Sequence, residues 1–260
     1  MKKFKSLSVM MVLFSALFFT SCDTEPVDPV LSGNDTENPG TDPTDPTDPT
    51  DPTDPGTSDG DYWPMAINNQ WTFADNGETL DPMIINGTST VGGNQYYKVN
   101  QFFSNAGDSG FDGEATMLLR KSGSSYSVRI SVTIPAQEGI EITVSPFEYT
   151  FLKDNLAAGQ TWTETATQIT TTTVPGMPPF EIEMVNNYTG KILEKDVTAT
   201  VNGETYENVI KMELKQVSDP GMGQPLTTIV TEMWFAKGVG PIKSFTAGVT
   251  DQELESYILN

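Results

Sequence analysis

The chain carries one thiol, Cys22, and no imidazole anywhere in its 260 residues. Without histidine there is no His-dependent nucleophile triad, no His-ligated zinc and no imidazole acid–base couple. A single cysteine makes no intrachain disulfide and no thiolate metal cluster. Carboxylates, hydroxyls, amines and aromatic rings remain. Residues 61–260 hold 24 Asp and Glu, and two carboxylates flanking a glycosidic bond are the machinery of glycoside hydrolysis. With so many acids no pair stands out. A hydrolase acting on glycan or peptidoglycan is therefore an alternative, and no catalytic residue is assigned. Asp108, Asp112 and Glu114 lie in a Gly-rich loop of the kind that offers oxygen ligands to calcium. Their spacing departs from the EF-hand pattern, so the loop reads as solvated, and no metal or cofactor is expected. The four tryptophans are Trp63, Trp71, Trp162 and Trp234. An exposed indole stacks on a sugar face, whereas one beside a strand start plugs a core. Trp71 and Trp162 read as core, and Trp63 and Trp234 are the candidate ligand-contacting aromatics. Gly238-Val239-Gly240-Pro241 lets backbone approach closely, but strand-like residues follow it. A phosphate cradle needs a helix there, so the segment reads as a turn or bulge.

The residues before Cys22 have the order of an export signal. Lys2, Lys3 and Lys5 make a positive start, and Leu7 to Phe19 is an apolar run too short to span a bilayer. Phe19-Thr20-Ser21-Cys22 then reads as a loose lipobox. This resembles a bacterial lipoprotein signal. The resemblance implies a Cys22 that is diacylated on sulfur, becomes the new N-terminus and is acylated again. Two or three acyl chains hold a protein stably where one holds it marginally. The expected address is the cell envelope, lipid-anchored at the outer membrane. Asp23, Glu25 and Asp28 loosely match the acidic residues that sort some bacterial lipoproteins to the surface.

Three segments follow: a signal over 1–21, a lipidated cysteine with an acidic tether over 22–60, and a β-rich domain over 61–260. Residues 23–60 contain eleven acids and no Lys or Arg, and Thr41 to Pro55 is five copies of Thr-Asp-Pro. Proline at every third position and like charge favour an extended, disordered stalk with polyproline II bias. At ~3.1 Å per residue it reaches on the order of 100 Å. The net charge of −21 repels phosphate backbones and anionic headgroups. Nucleic acid is therefore no partner. The expected partners are the membrane, through the lipid, and a glycan or envelope protein.

From Asp61 onward the pattern is that of strands. Met83 to Val91 and Gln95 to Phe103 flank Gly92-Gly93, and Val197 to Val201 and Thr205 to Val217 flank Asn202-Gly203, both hairpin signals. Ile140 to Leu152 contains Pro146, a mark of an edge or bulge. Gln160 to Val174 alternates with Thr, and Phe180 to Leu193 follows Pro178-Pro179. About a dozen strands with no sustained 3.6-residue period predict an all-β domain. The expected form is a curved antiparallel sheet, an incomplete barrel or a sandwich. Asn69-Gln70-Trp71-Thr72 is echoed by Gly159-Gln160-Thr161-Trp162-Thr163, and Gly93 to Val99 by Gly203 to Val209, which suggests two related halves.

Tyr62-Trp63-Pro64-Met65 with Asn69-Gln70-Trp71-Thr72-Phe73, then Gly159-Gln160-Thr161-Trp162, then Trp234 to Lys243 resembles the TapB-like family of bacterial exported lipoproteins. The resemblance implies an all-β domain over 61–260 and transfers no catalytic residue. The expected function is a membrane-anchored, non-catalytic β-domain with a binding or structural role at the envelope. Besides the hydrolase, a second alternative is a carrier of lipid or apolar ligand in a half-barrel. Gln95 to Phe103 and Pro146 to Leu152 would then line the cavity.

Overall fold

The computed structural model describes residues 60–103, 114–137, 139–221 and 223–260. Cys22, the signal and stalk, and Asp108 and Asp112 lie outside the described residues; of Glu114 only the backbone is described. The strands are β1 (Gln70–Asp75), β2 (Glu78–Thr79), β3 (Met83–Val91), β4 (Asn94–Val99), β5 (Glu114–Ser122), β6 (Ser125–Gln137), β7 (Ile140–Lys153), β8 (Thr161–Thr173), β9 (Phe180–Val201), β10 (Glu204–Asp219), β11 (Thr227–Ala236), β12 (Gly240–Thr246) and β13 (Thr250–Ile258).

From β3 onward each strand pairs antiparallel with the next, β3 also pairs with β1, and β13 returns to β1. The result is a twelve-stranded up-and-down barrel, with β2 a two-residue addition to β1. The all-β, antiparallel expectation holds, and the β1–β13 pairing closes the sheet on itself. Tight turns make this meander possible: Asn202 and Gly203 have φ of 47° and 83°, as a type I′ hairpin requires. The repeated motifs fall at matching places in two consecutive six-strand runs around the ring. Trp71 is on β1 and Trp162 on β8, and the Gly-x-x-Tyr segments are on β4 and β10.

Two strand expectations are corrected. Phe180 to Leu193 and Val197 to Val201 are one strand, β9, because Asp196 at φ 56° makes a bulge instead of a break. The strand expected over Gln95 to Phe103 stops at Val99, and Phe102 and Phe103 turn into the core. Pro146 does mark a bulge: β7 skips from Val144 to Phe147 in its pairing with β6.

The barrel has two unlike ends. At one, where the turns after β3, β5, β7, β9 and β11 lie, the segment 60–66, which is not a strand, packs against the β5–β6 and β11–β12 ends and plugs the opening. The Tyr62 backbone N–H donates to the Tyr126 hydroxyl at 2.9 Å, Gly238 N–H donates to the Asp61 carbonyl at 2.7 Å, and Asn69 Nδ2 donates to the Pro64 carbonyl at 2.8 Å. Trp63 sits deepest, fully buried, with the rings of Trp71, Phe102, Phe103, Phe151 and Phe235 at centroid distances of 5.5 to 6.0 Å. Burying an aromatic of this size contributes on the order of 3 kcal/mol or more. On β8 the outward positions are polar and the inward ones apolar: Thr161, Thr163, Thr165 and Thr167 are exposed, while Trp162 and Ala166 are buried. A membrane-spanning barrel has the reverse pattern.

At the other end the wall is uneven. β10 ends opposite Val185, so Phe180 to Met184 of β9 pair only with β8. β7 joins β8 only through Glu141–Val144 against Thr170–Thr173. Below that, side chains bridge the separated strands. The Glu164 carboxylate accepts from the Thr150 N–H at 2.7 Å, and the Trp162 indole donates to the Thr150 carbonyl at 3.2 Å.

Candidate functional site

The upper parts of β6 to β9 stand above the rest of the rim as a four-stranded wall. Its inner face follows from register. Asn186 and Tyr188 point into the barrel and are 2% exposed, so Met184, Ile182 and Phe180, two residues apart on the same strand, continue that face upward. Ile182 pairs with Thr170, which pairs with Val144 and in turn Val132. Phe180 pairs with Thr172, then Ile142, then Ile134. The outer face of the same wall carries Glu141, Thr143, Thr171, Glu181 and Glu183. Apart from Thr170 and Thr172 the inner face is apolar, and it is open: Phe180 is 50% exposed and Ile182 37%. Ile229 on β11 is in line with Gln216 and Tyr188, and it too is exposed at the mouth.

Below this mouth lies a polar belt. Ser218 Oγ donates to Asn186 Oδ1 at 2.6 Å, and Gln216 Nε2 reaches the same oxygen at 3.1 Å. Ser244 and Gln252, both buried, continue the belt through β12 and β13, and the Thr231 and Thr246 hydroxyls meet at 2.7 Å. Under it the Tyr149 and Tyr188 rings stack at 4.2 Å. Burial holds both tyrosine hydroxyls above the usual range, so they stay neutral and act only as hydrogen-bonding groups. The barrel interior thus runs from an aromatic core through a polar belt to an apolar, open mouth.

A second concavity, of about 640 Å³, lies at the plugged end. Glu204, Tyr206 and Glu207 of β10 form one wall, Lys237 and Val239 of the β11–β12 turn the floor, and Glu255 and Tyr257 of β13 the other wall. Among the described residues no group of three His, Cys, Asp or Glu side chains is placed to hold a metal ion.

The two tryptophans singled out in the sequence part ways. Trp63 is corrected from candidate ligand contact to core: its indole is 0% exposed, and the rings around it leave no open face. Trp234 is on the outer face, half-buried, in a row that runs Glu194, Lys211, Trp234, Lys243, Glu253 across five strands. Lys211 Nζ is 4.4 Å and Lys243 Nζ 5.5 Å from its centroid, and its N–H donates to Glu232 at 2.6 Å. The lysines are held in turn by Glu194 at 2.9 Å and Glu253 at 2.6 Å. Cations from the strands on either side lie over this ring, so it is not an open stacking platform. The Gly238 to Pro241 segment is the expected turn, with Gly238 and Gly240 at φ of 76° and 110°. A Cβ on Gly240 would lie 2.8 Å from the Trp71 indole nitrogen, whose N–H donates to the Val239 carbonyl at 2.7 Å. That glycine therefore serves core packing. The cavity lining expected over Gln95 to Phe103 and Pro146 to Leu152 is corrected: Val99, Phe151 and Leu152 are buried in the core, with Phe102 and Phe103 packed against it, whereas the residues of the mouth and the groove become neighbours only through strand register. No family model matches the chain, and neither a curated protein nor a solved structure does.

Proposed function

We propose that this chain is a lipid-anchored envelope protein, akin to the TapB-like lipoproteins. In this reading its barrel binds an apolar or amphipathic ligand in the open mouth, without turning it over. The observation that carries the binding reading is the inward-facing apolar surface at the mouth, on β9 of the raised wall and on β11. Phe180, Ile182 and Ile229 are inward-facing by register yet 50%, 37% and 44% exposed. Large side chains facing the inside of a barrel are ordinarily covered, and apolar surface open at a concave mouth is characteristic of ligand sites. The exposed threonine row on the outer face of β8 supports attachment by the Cys22 lipid over spanning. The described residues begin at the plugged end, at Gly60, and the mouth is at the opposite end of the barrel.

The ligand reading is tested with the full chain carrying Cys22→Ser, which has no acyl group and needs no detergent. A fluorescent long-chain fatty acid should bind saturably, and Ile182→Glu should weaken binding at least about tenfold. Absence of binding, or equal binding by Ile182→Glu, rejects the mouth as the site. The anchor is tested separately: clickable palmitate should label the wild-type chain in a bacterial host, and labelling that persists in Cys22→Ser refutes it.

A further inference from the structure

The groove at the plugged end is independent of the mouth, and its construction is specific. β10 pairs with β11 only from Val209 onward, and β12 pairs with β13 only as far as Lys243 opposite Glu253. Past those points the β11–β12 turn has ended, while β10 and β13 run on. Residues 204–208 and 254–258 thus stand as two walls with the turn between them. Unpaired strand edges invite a further strand, but both walls are blunted. Register slips between Tyr206 and Val209, where Asn208 has φ 53° and its carbonyl already accepts from the Lys237 N–H at 3.3 Å. On the facing wall Glu255 is skipped in the pairing with β1. Bulges of this kind disrupt the ladder that an added peptide strand would need. Recognition therefore falls to the side chains.

Those side chains are two phenol rings and three carboxylates against one ammonium group. Tyr257 is 44% exposed and offers an accessible ring, and Tyr206 lies close enough to sense it. Burial, with Tyr257 and Glu204 nearby, raises the Tyr206 hydroxyl above its ordinary value, so it is a neutral hydrogen-bonding group at physiological pH. Glu204, Glu207 and Glu255 are acceptors that want hydroxyl donors. Aromatic faces with carboxylate acceptors suit a ligand having apolar C–H faces and many hydroxyls. The excess of carboxylate over ammonium repels anionic polymers. The volume lies inside the range of about 300–1,000 Å³ typical of small-ligand sites. We infer that this groove binds a short neutral oligosaccharide, with Tyr257 as the stacking platform and Glu204, Glu207 and Glu255 as hydroxyl acceptors.

The test is calorimetry on the full Cys22→Ser chain against neutral gluco-, manno-, galacto- and N-acetylglucosamine oligosaccharides, with oligogalacturonate and oligolysine alongside. At least one neutral oligosaccharide should bind. Tyr257→Ala should weaken it about tenfold or more, Glu255→Gln should also weaken it, and Tyr257→Phe should retain most of the affinity. Because Tyr257 pairs with Trp71, melting temperatures are measured for each variant; if Tyr257→Ala unfolds, Glu255→Gln and Tyr257→Phe carry the decision. Ile182→Glu should leave saccharide binding intact, which separates this site from the mouth. Binding of none of the neutral sugars, binding indifferent to both Tyr257→Ala and Glu255→Gln, or binding of oligolysine alone overturns the inference.

Discussion

Trp63 has five aromatic rings within 6.0 Å and no exposed surface. Replacing it with Ala opens a void at the point where plug and wall meet, and should cost about 3–5 kcal/mol in urea unfolding. Trp234→Ala removes a half-buried ring lying near two lysines and should cost only about 1–2 kcal/mol. A loss at position 234 as large as at 63 would show that the outer row of charges supports the fold more than its exposure implies. Sequence reading grouped these two residues because, unlike Trp71 and Trp162, neither reads as a plug beside a strand start. Trp63 precedes the first strand, and nothing local states that its segment turns inward. The bond that fixes it, from Tyr62 to Tyr126, spans 64 residues. Trp71 and Trp162 were readable as core because each stands at a strand start with polar residues on either side. Tyr206 and Tyr257 had no such signal, being 51 residues apart and joined only by the ring of strands.

At the scale of elements, alternation and turn chemistry made most strands legible. Met83–Val91 is found with the bounds its pattern predicts, and Asn202-Gly203 closes the hairpin it signals. Closure was not legible, since the β1–β13 contact joins the two ends of the domain and leaves no local mark. Nor was the separation of β7 from β8, which depends on the bulge at Pro146 and on what fills the gap. Glu164 occupies that gap in place of a backbone partner, accepting the Thr150 N–H. Glu164→Ala should leave that amide without its acceptor at a cost of about 1–3 kcal/mol. Hydrogen exchange should show the change locally, with faster exchange at Thr150 and its β7 neighbours and little change in β10 to β12. Unaltered protection at Thr150 would mean that water or a shifted β8 backbone replaces the carboxylate.

For the whole molecule, the absence of histidine and the burial of tyrosine set the pH response. Burial raises Tyr126, with the Asp154 and Asp61 carboxylates adding to the rise against the opposing bond from the Tyr62 N–H. Burial likewise raises Tyr149 and Tyr188. Lys243 is also raised: burial alone would lower it, but its bond to Glu253 and the charges of Glu253 and Asp251 outweigh that. Each of these groups holds its proton more tightly folded than unfolded. The stability each contributes is complete below the unfolded values, 10.0 for tyrosine and 10.5 for lysine, and is lost as pH rises through the folded ones. The melting temperature should therefore be level from about pH 6 to pH 9, with no imidazole titrating in that window, and should fall above about pH 10. Tyr188→Phe keeps the stacked ring while removing one buried hydroxyl, so it should flatten the alkaline fall and change neutral stability little. A fall that begins below about pH 8, or a Tyr188→Phe curve parallel to wild type, would place the alkaline transition on some other group.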